Sequence, residues 1–527
     1  MNNFYKVMAV PSFKTGLFLI GLVAIISRII VASSIWSLPE SYVLNADSGE
    51  YHQNALILAG LIKGNFEPVF GQSPFTVILG TILHFLFGRS VLAVIVLQIL
   101  LGTGTAVLTA LITRRLSQGT LEALIAGLFV ALSRPLIVYD SVILATSSAV
   151  FLSVLVIWLS LFVADKATIR LVAIFGLVLG ISAICRPNSL LFVPLALYFT
   201  IKGSSAFTRS KKILPPLVLI LTTLVPIAPV TISNAVRGGV FVPITWSSGP
   251  NLFIGNNQSS PGRFKPIFGS VSAKKSFEVF TQKAEAYTGK KMNQAEVSRF
   301  WTAMTWREIA DDPAHFGALL IKKTVYMFNE FEIPNNINIP FLNVVLPVMR
   351  FPFLGFTVFL SLGIVGLCVL WKKTPPGGRA VHATVAIAIL TMLTYHVMSR
   401  FRAPALPALA IGAGIGIVWI KDTILKLKNN AKQSPNRRSA VLLAAASLGI
   451  CTLSIIAQLP ILNADLKPEV NRLSHSYATE HQFTAAITTL NRVLKHAVQQ
   501  KNVNLITATK KEIKFHTKNQ SYDNEHY

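Results

Sequence analysis

The chain has 527 residues, 52% of them hydrophobic and only 13% charged, with a mean hydropathy of +0.57. A soluble domain carries about 25% charged residues, so this chain lacks the polar surface to coat a water-soluble body and reads as an all-α polytopic membrane protein. Its 48 Lys and Arg against 22 Asp and Glu give a net charge of +26. Much of that excess sits in short loops between apolar runs, where it sets orientation. Membrane lipid, and not nucleic acid, is the partner it implies.

Candidate spans of a bilayer whose hydrocarbon is ~30 Å thick fall at 15–36, 89–113, 120–138, 142–163, 171–185, 188–201, 213–235, 351–371, 380–398, 404–420 and 439–459, the fifth and sixth being short. The first follows Lys6 and Lys14 and has no A-x-A site after it, which reads as a retained signal anchor. The fifth and sixth meet at Arg186-Pro187-Asn188. If they form a hairpin, and the N-terminus is cytoplasmic, every cytoplasmic loop is basic. Arg114 and Arg115, Lys166 and Arg170, then Lys202, Arg209, Lys211 and Lys212 fall on that side. So do Lys372, Lys373 and Arg379, then Lys421, Lys426, Lys428, Lys432, Arg437 and Arg438. One continuous helix over 171–201 would break the pattern, so the hairpin is expected.

Three long segments then face outward: 37–88, 236–350 and 460–527. Within the first, 48–63 and 74–87 have helical spacing and suit interfacial helices. The second is turn-rich at first and helical from Asn293 to Phe328, ending at Pro334-Asn335-Asn336. In the tail, Leu473, Tyr477, Phe483, Ala486, Leu490, Val493 and Leu494 mark two amphipathic helices resembling one tetratricopeptide-like unit, which cannot bury its own face. The polar stretch from Lys510 onward is expected to be disordered. The domains so drawn are a membrane domain over 1–459 and an outward basic tail over 460–527. Cys185, Cys368 and Cys451 all lie in apolar runs without disulfide or metal spacing.

Residues suited to chemistry cluster at the outer face. Asp47, Glu50, Tyr51 and His52 sit where the chain enters an interfacial helix. A carboxylate there can take a proton from an attacking hydroxyl; the plainer reading is Asp47 as N-cap with Glu50 as its capping-box partner. Arg400 and Arg402 lie outside, against the positive-inside trend. A guanidinium fork suits phosphate oxygens, whereas the plainer reading is a snorkelling pair. Gly249 to Asn257 offers Asn256 and Asn257 to sugar hydroxyls, or simply a turn. Glu332 among aromatics resembles sugar-site lining, or is plain surface charge, and Asp140 and Arg186 are placed to face the same chamber, or to be paired or solvated. No Walker loop, H-E-x-x-H or G-x-S-x-G element occurs in a credible setting, which argues against nucleotide-driven and serine-hydrolase chemistry.

Several segments, in order, resemble the bacterial membrane glycosyltransferases of the GT-C fold, family 39 type, related to protein mannosyltransferases and the aminoarabinose transferase of lipid A. They are Asp47…Tyr51…Ala55…Gly60, Ser73-Pro74-Phe75, Phe87-Gly88-Arg89-Ser90 and Pro135…Tyr139. Leu179-Gly180…Arg186-Pro187-Asn188, Asn234-Ala235-Val236-Arg237-Gly238-Gly239 and Gly255-Asn256-Asn257 follow. Last come Arg299-Phe300-Trp301…Pro313…Lys323, Glu332-Ile333-Pro334-Asn335-Asn336 and Arg400-Phe401-Arg402-Ala403-Pro404…Pro407.

The resemblance implies a GT-C bundle of about eleven transmembrane helices in the inner (plasma) membrane, with chemistry on the outer, periplasmic face. The donor it implies is a polyprenyl-phosphate sugar, and the acceptor a lipid, polysaccharide or protein hydroxyl. It makes Asp47 the general base of an inverting transfer and counts Glu50 with it among the catalytic residues, without a role of its own. Arg400, Arg402 and Arg186 would then hold the departing phosphate. Tyr51, His52, Asp140, Arg237, Asn256, Asn257 and Glu332 would contact substrate. No cofactor is assigned; some relatives bind a metal in this chamber, and nothing in this sequence asserts one. The chain departs from protein mannosyltransferases in reading Asp47-Ser48-Gly49-Glu50 where they have an adjacent Asp-Glu pair. It also has Ala145-Thr146-Ser147-Ser148 where some relatives carry a second acid. The competing classes are a transporter or flippase of lipid-linked glycans and an inactive scaffold holding a partner through its tail. Transporters place ionisable groups at the midplane, while here they gather at one face.

Overall fold

The computed structural model describes residues 12–66, 69–206, 212–265, 267–268, 273–371, 374–429, 437–462 and 465–526. Lys6, Arg209, Lys211, Lys372, Lys373 and Lys432 of the basic pattern lie outside the described residues. Every described element is helical apart from two isolated bridges. Helices α1 (Phe13–Ile35), α2 (Glu40–Val43), α3 (Asp47–Leu58), α4 (Pro74–Phe87) and α5 (Val91–Ser117) open the chain. They lead to α6 (Thr120–Ala131), α7 (Arg134–Tyr139), α8 (Ala145–Asp165), α9 (Ile169–Cys185), α10 (Val193–Gly203) and α11 (Leu214–Gly238). The outer segment holds α12 (Ser248–Asn256), α13 (Ala273–Thr288), α14 (Gln294–Asp311), α15 (Pro313–Met327) and α16 (Ile339–Val345). Then come α17 (Phe356–Trp371), α18 (Arg379–Thr394), α19 (Ser399–Arg402), α20 (Leu406–Asn429) and α21 (Arg437–Gln458). The tail holds α22 (Lys467–Thr479), α23 (Phe483–Gln499) and α24 (Val503–His526).

Seven of these helical stretches are long and apolar enough to span a bilayer, and α4, α6, α9 and α17 are shorter apolar helices. The chain is a multi-pass helical membrane protein. Each run counted from the sequence carries a helix, because only helices satisfy backbone hydrogen bonds in hydrocarbon. Not every run is one unbroken α-helix. The 120–138 run divides into α6 and α7, with Pro135 in the first turn of α7, and the 188–201 run opens as a 3-10 turn over Pro187–Phe192. The hairpin at Arg186 forms: the Ala167 amide donates to the Gly203 carbonyl at 3.0 Å, so α9 leaves and α10 returns to the same end. Helices α17 and α20 meet through glycines, and a Cβ on Gly366 would stand 1.7 Å from the Gly412 carbonyl oxygen. Small residues thus permit close backbone contact where lipid supplies no hydrophobic drive.

The outer segment departs from the sequence expectations. The one helix expected from Asn293 to Phe328 is two, because Pro313 cannot continue α14 and Asp312 caps α15 by accepting from the His315 amide at 2.9 Å. The turn expected over Gly249–Asn257 is helix α12. Gly255 is there for close approach, since a Cβ would meet the Tyr395 carbonyl oxygen at 1.7 Å. The tail is ordered past Lys510: α24 runs to His526, its buried His516 resting 2.8 Å from Ser474 Oγ. The tail docks, as a lone unit must, with α22 on α2 and α23 on α16.

One buried pair was not foreseen. Arg28 of α1 is fully buried and its Nε donates to Asp140 Oδ2 at 2.8 Å; its Nη1 reaches the Ala24 and Ala131 carbonyls. Removing one partner strands the other charge away from water. Arg28→Ala is therefore expected to lower folding stability by about 3–5 kcal/mol, read as loss of monodisperse protein and a lower melting temperature; unchanged melting would contradict the pairing.

Candidate active site

A cavity of about 780 Å3 opens between α3, α8, α9, the 3-10 turn Pro187–Phe192, α12, α13, α18 and α19. One arm is apolar, lined by Ala149, Val156, Leu179, Leu191, Phe192, Ile387 and Leu390. The mouth is polar, with Asp47, Tyr51, Gln72, Ser73, Asn335, Arg186 and Arg400. An apolar pocket with a few convergent polar groups is the usual form of a ligand site.

Asp47 is the centre of the mouth. It is only 8% exposed and begins α3 at N1. The cap before it is Ala46, at φ +51° and ψ −130°, a region that costs a residue bearing a Cβ. The capping box expected from Asp47 and Glu50 therefore does not form. Asp47 Oδ2 accepts from Arg400 Nη1 at 2.7 Å and from Asn336 Nδ2 at 2.8 Å, and Oδ1 accepts from Gln72 Nε2 at 3.3 Å. Asn336 Oδ1 in turn accepts from the Asp47 amide at 3.1 Å. The carboxylate is thus fixed by three side chains from three separate segments.

Arg186, at the hairpin tip, is the second cation of the mouth. Its guanidinium rests 5.3 Å over the Phe401 ring, and among the described residues no carboxylate lies within ion-pair distance of it. Burial, with Arg400 nearby, lowers its pKa, though a guanidinium stays protonated in any protein setting. Two guanidiniums against one carboxylate leave the mouth with an uncompensated positive charge, which suits an anionic group. Tyr51 lies beside them, 6% exposed, its oxygen accepting from the Ser73 amide at 3.4 Å. Burial, then Asp47, raises its pKa, so it remains a phenol.

The other residues singled out from the sequence lie elsewhere. Glu50 accepts from Gln72 Nε2 at 2.8 Å and from the Lys274 amide at 3.0 Å, on the far side of Gln72 from the cavity. His52 pairs with His84 at 3.1 Å, and burial together with that neighbour pushes its pKa down to about 4, leaving it neutral. Asp140 faces Arg28, away from the cavity lining. Arg237 is exposed, 4.8 Å over the Phe66 ring. Asn257 closes its own turn, donating to the Phe253 carbonyl at 2.7 Å. Asn256 Oδ1 accepts from Lys323 Nζ at 2.6 Å, and the same amine donates to the Leu393 and Tyr395 carbonyls, which ties α12 and α15 to the end of α18.

Arg402 and Glu332 form a buried pair at 3.0 Å, with the Arg402 guanidinium stacked 3.7 Å over Phe356. Neither lines the cavity. Arg402→Ala would leave Glu332 buried alone, so the expected outcome is a lower melting temperature and yield. Unchanged melting in that variant would contradict a structural role for the pair.

Sequence reasoning missed Gln72, and it read Asn336 only as part of a motif and a helix-ending turn. Both hold Asp47 from loops distant in sequence. Arg28 had a signal, since a lone arginine inside an apolar run is a site to be explained.

Residues 71–232 match the family model described as dolichyl-phosphate-mannose-protein mannosyltransferase. The matched stretch includes Gln72, Asp140 and Arg186 but neither Asp47 nor Arg400. It spans under a third of the chain and supports a membrane glycosyltransferase of the GT-C kind. No curated protein matches the chain.

Proposed function

We propose that the chain transfers a sugar from a polyprenyl-phosphate donor to an acceptor hydroxyl at the outer face of the bacterial inner membrane, with Asp47 as general base. The observation that carries this reading is a single carboxylate held beside two guanidiniums at the polar mouth of an apolar cavity. The apolar arm suits a polyprenyl chain, whose burial contributes about 0.8 kcal/mol per CH2. Arg186 and Arg400 suit the phosphate at its head.

In the step proposed, the acceptor hydroxyl hydrogen-bonds Asp47 and gives it the proton as its oxygen bonds the anomeric carbon. The bond from that carbon to the phosphate oxygen breaks, and its electron pair leaves with polyprenyl phosphate. Attack from the face opposite the leaving group inverts the anomeric centre. Charge grows on the phosphate as the bond lengthens, where Arg186 and Arg400 favour the transition state over the ground state. Lipid, polysaccharide and protein acceptors all supply the hydroxyl this step needs.

The test is purified protein in lipid nanodiscs with a panel of polyprenyl-phosphate sugars, followed by mass spectrometry. Release of polyprenyl phosphate from one donor is expected. Binding of donors with none consumed, with or without a panel of hydroxyl acceptors, would contradict the transferase reading.

A further inference from the structure

The segment that leads into Asp47 and the segment that follows Asn336 are both gripped by the C-terminal helices. On the upstream side is α2, four residues before Asp47. The Ser41 amide and hydroxyl donate to Glu480 Oε1 at 3.1 and 2.7 Å. Tyr42 Oη donates to Glu469 Oε2 at 2.9 Å, and Arg472, itself bonded to Glu469, lies 4.7 Å over the Tyr42 ring. On the downstream side is α16, which starts three residues after Asn336. Arg492 Nη1 of α23 donates to the Val345 carbonyl at 2.9 Å.

Between these two grips the chain holds its least relaxed backbone near the cavity, Ala46 at φ +51°. There too is the two-point clamp of Asn336 on the Asp47 amide and carboxylate. A non-glycine residue in that region is strained and persists only where its surroundings over-determine it. On the α2 side the tail supplies part of those surroundings, through Glu480 on Ser41 and Glu469 on Tyr42.

We propose that the C-terminal helices α22–α24 are a brace for the catalytic loop, with Glu469 and Glu480 as positioning residues that hold Asp47 in register through α2. This rests on the reading of Asp47 as base. The two carboxylates act through Ser41 and Tyr42 and touch no substrate. Loss of the brace lets the Ala46 turn relax and the Asp47 carboxylate leave the place where Arg400, Gln72 and Asn336 fix it. An ångström-scale misplacement of a reacting group costs rate and not ground-state binding, and the donor sites on Arg186 and in the apolar arm are untouched.

The experiment uses the full chain in nanodiscs. Glu469→Ala/Glu480→Ala is expected to lower kcat by about tenfold with donor KM within twofold and the melting temperature of the membrane bundle unchanged. Hydrogen exchange over residues 40–51 is expected to quicken in the same variant. Glu480→Gln in the wild-type background keeps an acceptor oxygen for Ser41 and is expected to retain most of kcat. Unchanged kcat in the double variant, alongside an inactive Asp47→Asn control, would overturn the brace and leave the base assignment standing. An active Asp47→Asn control would overturn both. A fall in kcat with exchange over 40–51 unaltered would overturn the coupling through α2.

Discussion

Asp47→Asn is expected to lower turnover by about 10²- to 10⁴-fold, the usual contribution of a positioned general base. The substitution keeps the shape of the side chain, and its one amide oxygen, set at the Oδ2 position, can still accept from Asn336 and Arg400, while the contact with the Gln72 amine is lost. What disappears is the proton acceptor. Donor binding is expected to hold or tighten, because Arg186 and Arg400 then face the cavity with no carboxylate to offset them. Lower kcat with KM unchanged or reduced is therefore the signature, measured as polyprenyl phosphate released per unit time against donor concentration. Equal loss of donor binding would mean that Asp47 serves the pocket and not the chemistry.

Arg186→Ala is the second large effect. Removing one preorganised donor from a developing anion costs about 10²- to 10³-fold in kcat, and the same order is expected here. Arg186 pairs with no carboxylate among the described residues, so the fold has little to lose: melting is expected to stay at the wild-type value. Arg186→Lys keeps the charge but not the planar fork, and is expected to recover only part of the rate. The contrast with Arg402 is the useful control. Arg402 is locked to Glu332 and Phe356 and its loss is expected to read out in stability.

The membrane helices were legible because apolar length has one structural meaning in hydrocarbon. The hairpin at Arg186 was legible through charge alone, since loop basicity is conserved only if the chain turns back. The site was legible in part. Asp47, Tyr51, Arg186 and Arg400 come together at the cavity, from segments as far apart as residues 47 and 400. Arg400 and Arg402 look alike in the sequence, yet two residues on a short helix point them at opposite surroundings, one to the cavity and one to Glu332. No local pattern encodes that. Asp140 was drawn toward the chamber because its partner, Arg28, lies 112 residues earlier in another helix. The last helix was missed because its polar stretch gains its order from contacts with α22 and α23, not from its own hydropathy.

The measurement that bears most directly on the central claim is the fate of the donor's anomeric bond. Wild-type protein and Asp47→Asn, both in nanodiscs, would be given the same polyprenyl-phosphate sugar and acceptor, and intact donor, free polyprenyl phosphate and glycosylated acceptor followed by mass spectrometry. The account predicts cleavage and sugar transfer by the wild type, with the intact donor bound but uncleaved in the variant. Donor left whole by both proteins, yet moved across the bilayer in sealed vesicles, would contradict it and make the chain a carrier.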